Sequence, residues 1–100
     1  MSFVTSGKFP ASVKREDVAR DWAKRGFSCE LFVDPPGREW NDFVHNTDEL
    51  VTVLEGRLWM QIGEQEGEAG PGDEVFIRRN TPHSVRNAHN GTTRWLFGYA

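Results

Sequence analysis

The sequence contains a single cysteine, Cys29, among its 100 residues, so the chain cannot form an internal disulfide bond. A lone cysteine fits a reducing compartment. The first residues, Met1 to Gly7, are too polar for the apolar core of a secretory signal peptide. The sequence therefore predicts a cytoplasmic protein.

Long apolar runs and an excess of basic charge are also absent. No stretch approaches the roughly 18 apolar residues of a membrane-spanning helix, and the net charge is −3. A negative balance disfavours nucleic acid or an anionic membrane as a partner. The glycine-rich turn Gly70-Pro71-Gly72-Asp73 lacks the following lysine and hydroxyl residue of a phosphate-binding loop, which excludes nucleotide binding there.

The chain has enough apolar residues, 37% of the total, for the core of one domain. Its first part, residues 1–26, reads as an arm followed by one short helix over residues 14–25. Val18 and Trp22 lie four residues apart in that helix and form an apolar stripe that would pack on the rest of the protein. Residues 27–100 contain many short strands separated by turn formers, which predicts an all-β sandwich or small barrel.

We predict that the residues from Glu49 to Glu55 form the central strand. If Glu49 points into the barrel, Val51 points inward as well, because side chains alternate between the two faces of a strand. Leu50 and Leu54 then point outward and need a cover. The arm, the helix or a second subunit could provide it.

A histidine and a carboxylate flank the start of this strand. In an extended chain His45 and Glu49 would lie about 13 Å apart, at roughly 3.3 Å per residue. The turn formers Asn46-Thr47-Asp48 separate them, so we expect the chain to turn and their side chains to converge. His83 begins another predicted strand. Two histidines and one carboxylate form the facial triad of non-haem iron and related ions, and we call His45, Glu49 and His83 the triad.

Two neighbouring side chains are poorer candidates for this site. His89 would lie about 20 Å beyond His83 along an extended strand, and Asp48 should point to the side opposite Glu49. For the triad itself, the alternative to a metal site is a hydrogen-bonded polar cluster at the mouth of a barrel.

Two stretches of the chain, Gly37 to Gly56 and Gly72 to Asn87, resemble the paired motifs of the cupins, a family of small β-barrel proteins. The residues in register with the first motif are Gly37, His45, Glu49 and Gly56, and those in register with the second are Gly72, His83 and Asn87. The resemblance implies a jelly-roll β-barrel of two antiparallel sheets with the short helix at its N-terminal end. It also implies a homodimer.

Three positions depart from the cupin pattern. Phe43 stands where the motif has its first histidine, which removes one of the four usual metal ligands. Arg78 replaces a proline, and Asn80 replaces a glycine. Asparagine is the non-glycine residue that best tolerates a positive φ angle, so the change at Asn80 is mild.

The resemblance implies that the triad binds a divalent transition metal. The identity of the ion is not fixed by these ligands, because imidazole and carboxylate select weakly among zinc, iron, manganese, nickel and copper. We expect a small organic ligand or substrate to bind beside the ion, in a pocket with Trp40, Phe43, Val51 and Trp59 in its wall. The family includes dioxygenases, isomerases and decarboxylases, so the resemblance leaves the reaction open.

Two other functions are compatible with the same residues. The barrel could be a non-catalytic module that holds a metal or a small ligand, which the loss of a ligand at Phe43 favours. It could also be a dimerisation domain with a vestigial metal site. Metal content and turnover distinguish the three hypotheses.

Overall fold

The computed structural model describes residues 3–100, except for the side chain of Asp42. Met1 and Ser2 of the predicted arm lie outside the described residues. Within the described chain there are one helix and two antiparallel sheets. The helix is α1 (Arg15–Lys24), and the strands are β1 (Val4–Thr5), β2 (Glu30–Asp34), β3 (Glu39–Phe43), β4 (Glu49–Glu55), β5 (Leu58–Ile62), β6 (Gln65–Ala69), β7 (Glu74–Ile77), β8 (His83–Asn87) and β9 (Thr93–Tyr99).

The strands form two layers around one interior. The larger sheet has the order β1-β7-β4-β9-β2, and the smaller has the order β3-β8-β5-β6. This arrangement confirms the prediction of an all-β jelly-roll barrel with a short N-terminal helix. Within the described residues, no helix is both long enough and apolar enough to cross a membrane.

Strand β4 alternates as its sequence predicts. Glu49, Val51 and Val53 face the interior, where the two valines join a core built from both sheets. The other core residues of this cluster are Leu58, Met60, Ile62, Ala69, Val75, Ile77, Val85 and Trp95. Because β4 pairs with both β7 and β9, its inward side chains lie at the centre of the larger sheet.

The outward face of β4 is covered by α1. Leu50 packs in a buried cluster with Leu96 of β9 and with Val18 and Trp22 of the helix. The indole Nε1 of Trp22 donates a hydrogen bond to Glu74 Oε1 of β7 at 2.9 Å. The helix thus provides the cover that the outward leucine needs, within a single chain.

The N-terminal arm contributes a strand that its sequence did not predict. In β1, Val4 pairs with Val75 and Thr5 pairs with Glu74 at the edge of the larger sheet. Two residues are too few to show a period, so β1 has no recognisable pattern in the sequence.

Candidate metal centre

The triad comes together at one end of the barrel. His45 lies in the turn between β3 and β4, Glu49 is the first residue of β4, and His83 is the first residue of β8. Glu49 Oε1 is 3.6 Å from His45 Nε2 and 3.6 Å from His83 Nε2. One ligand atom from each residue lies within 4.8 Å of the others. The turn between His45 and Glu49 therefore brings together side chains that an extended chain would keep apart.

Two short turns hold this arrangement. The backbone N–H of Asn80, in the turn between β7 and β8, donates a hydrogen bond to the carbonyl oxygen of His45 at 2.7 Å. Next to it, the backbone N–H of Arg79 donates to Asp48 Oδ1 at 2.8 Å. Asp48 is thus used to join the two turns and is not part of the triad, as its position opposite Glu49 predicts.

His83 is oriented by its own turn. Its Nδ1 lies 3.0 Å from the carbonyl oxygen of Thr81. A carbonyl only accepts hydrogen bonds, so Nδ1 carries the proton and Nε2 presents its lone pair towards Glu49. Burial lowers the pKa of His83, which keeps the ring neutral. A second hydrogen bond of this kind is the usual way in which a metal-binding histidine is held.

Glu49 is a buried carboxyl group with an unpaired oxygen atom. Its side chain is 7% exposed, and Oε1 is buried without a hydrogen-bond partner. Burial raises its pKa from the ordinary value of 4.5 to about 7. A buried carboxylate without partners is costly. Each of the two 3.6 Å separations is too long for a hydrogen bond. Both are comparable to the separation of two ligands of one ion, since each metal–ligand bond is about 2.0–2.2 Å. The three side chains therefore fit a divalent metal ion.

The fourth position of the usual cupin site carries a phenyl ring. Phe43 stacks on His45 at a centroid separation of 6.4 Å and an angle of 11°, and its ring is also 6.4 Å from that of His83. A phenyl ring cannot act as a ligand, so the side chains that the structure describes offer three donors at this site. Three ligands with open positions are the pattern of catalytic zinc sites, whereas structural zinc sites have four.

A cavity of about 230 Å³ opens beside the triad. Two of the predicted pocket residues, Trp40 and Phe43, line this cavity. The sequence prediction did not include Phe32, Val85, Trp95, Phe97 and Tyr99, which also line it. The alternation of β9 already placed its three aromatic residues on one face. The sequence does not show that β9 pairs with β4. In this pairing Glu49 lies opposite Tyr99, which brings the aromatic face of β9 to the triad.

Two of the predicted pocket residues lie elsewhere among the described residues. Val51 is buried in the core, where its strand partners are Val75 and Phe97. Trp59 lies on the outer face of the smaller sheet, where its Nε1 donates to Glu66 Oε1 at 3.2 Å and Arg86 packs on its ring at 4.7 Å. Side chains alternate between the two faces of β5, and the inward positions of this strand are occupied by other, buried side chains. Trp59 therefore points outward.

Other potential ligands do not join the site. His89 is exposed, and its backbone N–H donates to Asn87 Oδ1 at 2.9 Å. Within the described residues, the triad is the one group of at least three histidine, cysteine or acidic side chains placed to share an ion.

Comparison with known proteins identifies the fold and its family. The family model for the cupin domain matches residues 30–99. The chain is 33% identical over 46 residues to an uncharacterised protein of Methanocaldococcus jannaschii, and the match covers 46% of this chain but 37% of that protein. Among solved structures, TT1209 from Thermus thermophilus is similar with a TM-score of 0.68 and 29% identity, over 74% of this chain and 71% of that one.

A more distant structural neighbour is a cupin 2 domain-containing protein from Halorhodospira halophila. The TM-score is 0.68 at 19% identity, and the match covers 73% of this chain and 51% of that one. At this level of identity the likeness concerns the fold alone. Together with the family match, it supports the cupin fold of this chain.

Proposed function

This chain belongs to the cupin family, and we propose that it is a small metal-binding cupin that binds or acts on a small organic molecule at an ion held by the triad. The observation that supports this most directly is the environment of Glu49. Its buried Oε1 has no hydrogen-bond partner and lies 3.6 Å from an imidazole nitrogen on either side. A divalent cation would compensate the buried carboxylate and use both nitrogens.

The residues of the triad would have distinct roles. His83 is buried and held in the tautomer that presents Nε2. Glu49 supplies the negative charge. The side chain of His45 is 31% exposed, so this ligand lies nearest to solvent. When bound, a divalent transition ion would polarise an oxygen atom of the substrate as a Lewis acid. The apolar wall of the cavity would keep bulk water away from that oxygen, which strengthens electrostatic interactions there.

The proposal covers the class of the metal and not its identity. Imidazole and carboxylate ligands bind zinc, iron, manganese, nickel and copper ions, and coordination geometry and metal availability contribute to which of these ions occupies a site in the cell. We therefore propose a divalent transition metal and leave its identity to measurement.

The decisive experiment is metal analysis of the purified, untagged protein before and after loading with each of these ions. We expect about one ion per chain in the wild type and a large loss in His45→Ala and His83→Ala. His89→Ala is the matched control, because this exposed histidine lies outside the triad. Equal metal content in all four proteins would show that the ion is bound elsewhere. No ion in any loaded sample would end the metal-binding proposal.

A second candidate is a cupin that binds its ligand without turning it over. Phe43 supports this reading, because the phenyl ring takes the place of a fourth ligand. Oxygen consumption or substrate turnover by the metal-loaded protein separates an enzyme of the dioxygenase or isomerase type from a binding module.

The homodimer and the cytoplasmic location stay predictions. Val33 on the edge strand β2 is 53% exposed and lies on the outer face of the larger sheet, which is compatible with contact to a second chain. Sedimentation velocity over a range of concentrations would test the dimer. A single species with the mass of one chain would exclude it.

A further inference from the structure

The cavity beside the triad is enclosed by an unbroken circuit of rings, which we call the aromatic belt. It runs from Phe32, Trp40 and Phe43 through His45 to Tyr99, Phe97 and Trp95, and back to Phe32. The centroid separations around it, in this order, are 5.5, 5.7, 6.4, 5.1, 6.0, 5.6 and 5.4 Å. Residues from β2, β3 and β9 contribute, so the circuit connects the two sheets.

The geometry of the belt suits another ring. Several neighbouring rings meet at steep angles, such as 75° for Phe32 with Trp40 and 71° for Phe97 with Tyr99. Both ring faces and ring edges are therefore presented around the cavity. Aromatic rings attract one another in tilted and edge-to-face arrangements of this kind, at centroid separations of about 4.5–7 Å.

The belt offers almost no polar contacts away from the triad. Among the described lining residues, the hydroxyl group of Tyr99 and two indole N–H groups are the polar groups outside the triad. The Nε1 of Trp95 donates to Asp34 Oδ2 at 3.3 Å. The Nε1 of Trp40 has no hydrogen-bond partner, but it is buried and has almost no surface open to the cavity. A charged group in the body of a ligand would lose its water here without gaining a partner, which is costly.

A cationic ligand is disfavoured by Arg38. Aromatic rings can bind organic cations through their faces. Here the guanidinium of Arg38 already packs on two rings of the belt, at 4.2 Å from the centroid of Trp40 and 5.4 Å from that of Phe32. A second positive charge at the same rings would be repelled. Arg38 does not line the cavity, so an anionic group inside it would lose its water without gaining a hydrogen bond from the guanidinium.

The size of the cavity limits the ligand. A cavity of about 150 Å³ is enough for benzene, and this one measures about 230 Å³. One ring with a small substituent therefore fits.

We propose that the cavity binds a single-ring aromatic molecule with an uncharged body and one oxygen-bearing head directed at the triad. Recognition of the head rests on the proposed function, because it needs the metal ion. Recognition of the ring depends on the phenyl, phenol and indole side chains of the belt and not on the ion. The two parts can therefore be tested separately.

The test uses benzohydroxamate and acetohydroxamate as probes. Both compounds have the same hydroxamate head, which binds divalent ions through two oxygen atoms. Benzohydroxamate carries a phenyl group on this head, and acetohydroxamate carries a methyl group. With zinc-loaded protein in isothermal titration calorimetry, we expect benzohydroxamate to bind at least about tenfold more tightly, since burial of its ring adds apolar contact area. We expect its 4-carboxy and 4-aminomethyl derivatives to bind at least about tenfold more weakly than the parent compound.

A matched pair of variants locates the ring. Phe97→Leu removes one ring of the belt while keeping an apolar side chain, and we expect it to weaken benzohydroxamate about two- to tenfold. Acetohydroxamate should be unaffected. Phe76→Leu makes the same change at an exposed residue that does not line the cavity, so it should change neither affinity. Circular dichroism of both variants checks that they fold.

The outcomes separate this inference from the proposed function. If the protein binds zinc but does not prefer the phenyl compound, the inference is wrong and the metal site stands. The same holds if a charged derivative binds best. If no ion is retained, fluorobenzene is titrated into the metal-free protein and followed by ¹⁹F NMR. Binding that Phe97→Leu weakens would then support the belt without the metal, and no binding would overturn both proposals.

Discussion

The backbone N–H of Asn80 donates a 2.7 Å hydrogen bond to the carbonyl oxygen of His45, which joins the turn before His83 to the turn before Glu49. Asn80 has a φ angle of +61° and is the one described non-glycine residue with a positive φ. The two halves of the triad come from distant parts of the chain, and this bond connects their turns directly. The conformation at Asn80 therefore bears on both the stability of the barrel and the geometry of the site.

Replacing Asn80 tests this connection. We expect Asn80→Val to lower the free energy of unfolding by about 1–2 kcal/mol, because a β-branched residue is strained at positive φ. Asn80→Gly should be close to neutral. Urea denaturation monitored by fluorescence gives the values, and Asn90→Val, outside this conformation, is the matched control. Equal losses at both asparagines would show that φ is not the cause.

The raised pKa of Glu49 predicts how the metal-free protein responds to pH. Burial raises this pKa from 4.5 to about 7 in the folded state, so between these values the folded protein holds a proton that the unfolded chain has released. Ionisation then opposes folding, and the contribution of Glu49 to stability falls as the pH rises from about 4.5 to 7. His83 acts in the opposite direction, because its pKa is lowered by burial.

The Glu49→Gln variant separates the two contributions. It keeps His83 and removes the titrating carboxyl, so its stability relative to wild type should increase between pH 4.5 and 7. The expected gain is about 3 kcal/mol, since one pKa unit corresponds to about 1.4 kcal/mol. Chemical denaturation of both proteins in the presence of a chelator measures the difference. A difference that does not change with pH would contradict the burial of an unpaired carboxyl.

Metal binding should depend on pH through the same residue. The carboxylate of Glu49 must be ionised to act as a ligand, and its pKa is about 7 without metal. We therefore expect metal affinity to fall as the pH drops below about 7. Competition with a chelating dye between pH 5 and 8 provides the measurement. Affinity that stays constant down to pH 5 would rule out the triad as the ligand set.

The anchor of α1 on the larger sheet should contribute strongly to stability. Glu74 accepts hydrogen bonds from Trp22 at 2.9 Å and from the two terminal nitrogens of Arg25 at 2.8 and 3.0 Å. Glu74→Ala would leave the buried indole N–H without a partner, and we expect a loss of about 2–4 kcal/mol in the free energy of unfolding. Glu68→Ala breaks an exposed ion pair with Arg57 and should cost at most about 1 kcal/mol. Similar losses in the two variants would show that burial does not matter here.

Much of the site could be predicted from short patterns. The triad was identified from the turn formers between His45 and Glu49, the predicted strand that begins at His83, and the register of these residues with the cupin motifs. Alternation along β4 was enough to place Glu49 and Val51 on one face of the strand and Leu50 on the other. Each of these inferences depends on a few consecutive residues and on the fixed geometry of an extended chain.

The pocket wall could be predicted only in part. Trp40 and Phe43 are close to His45 along the chain, and both line the cavity. The sequence also suggested Trp59, which lies on the outer face of its sheet. Alternation shows which residues of β5 share a face but not which of the two faces is the inner one. That choice depends on the packing of the strand against the opposite sheet.

What the sequence by itself determined is therefore local: the strands, the turns, and the three side chains that those turns bring within reach of one point. Only the tertiary structure decided what surrounds that point. The pairing of Glu49 with Tyr99 brings the aromatic face of β9 to the triad, and the pairing of Phe32 with Trp95 joins β2 to β9 in the aromatic belt. These partners are far apart in the chain. Strand register between such segments is set by packing of the whole core, so no short pattern contains it.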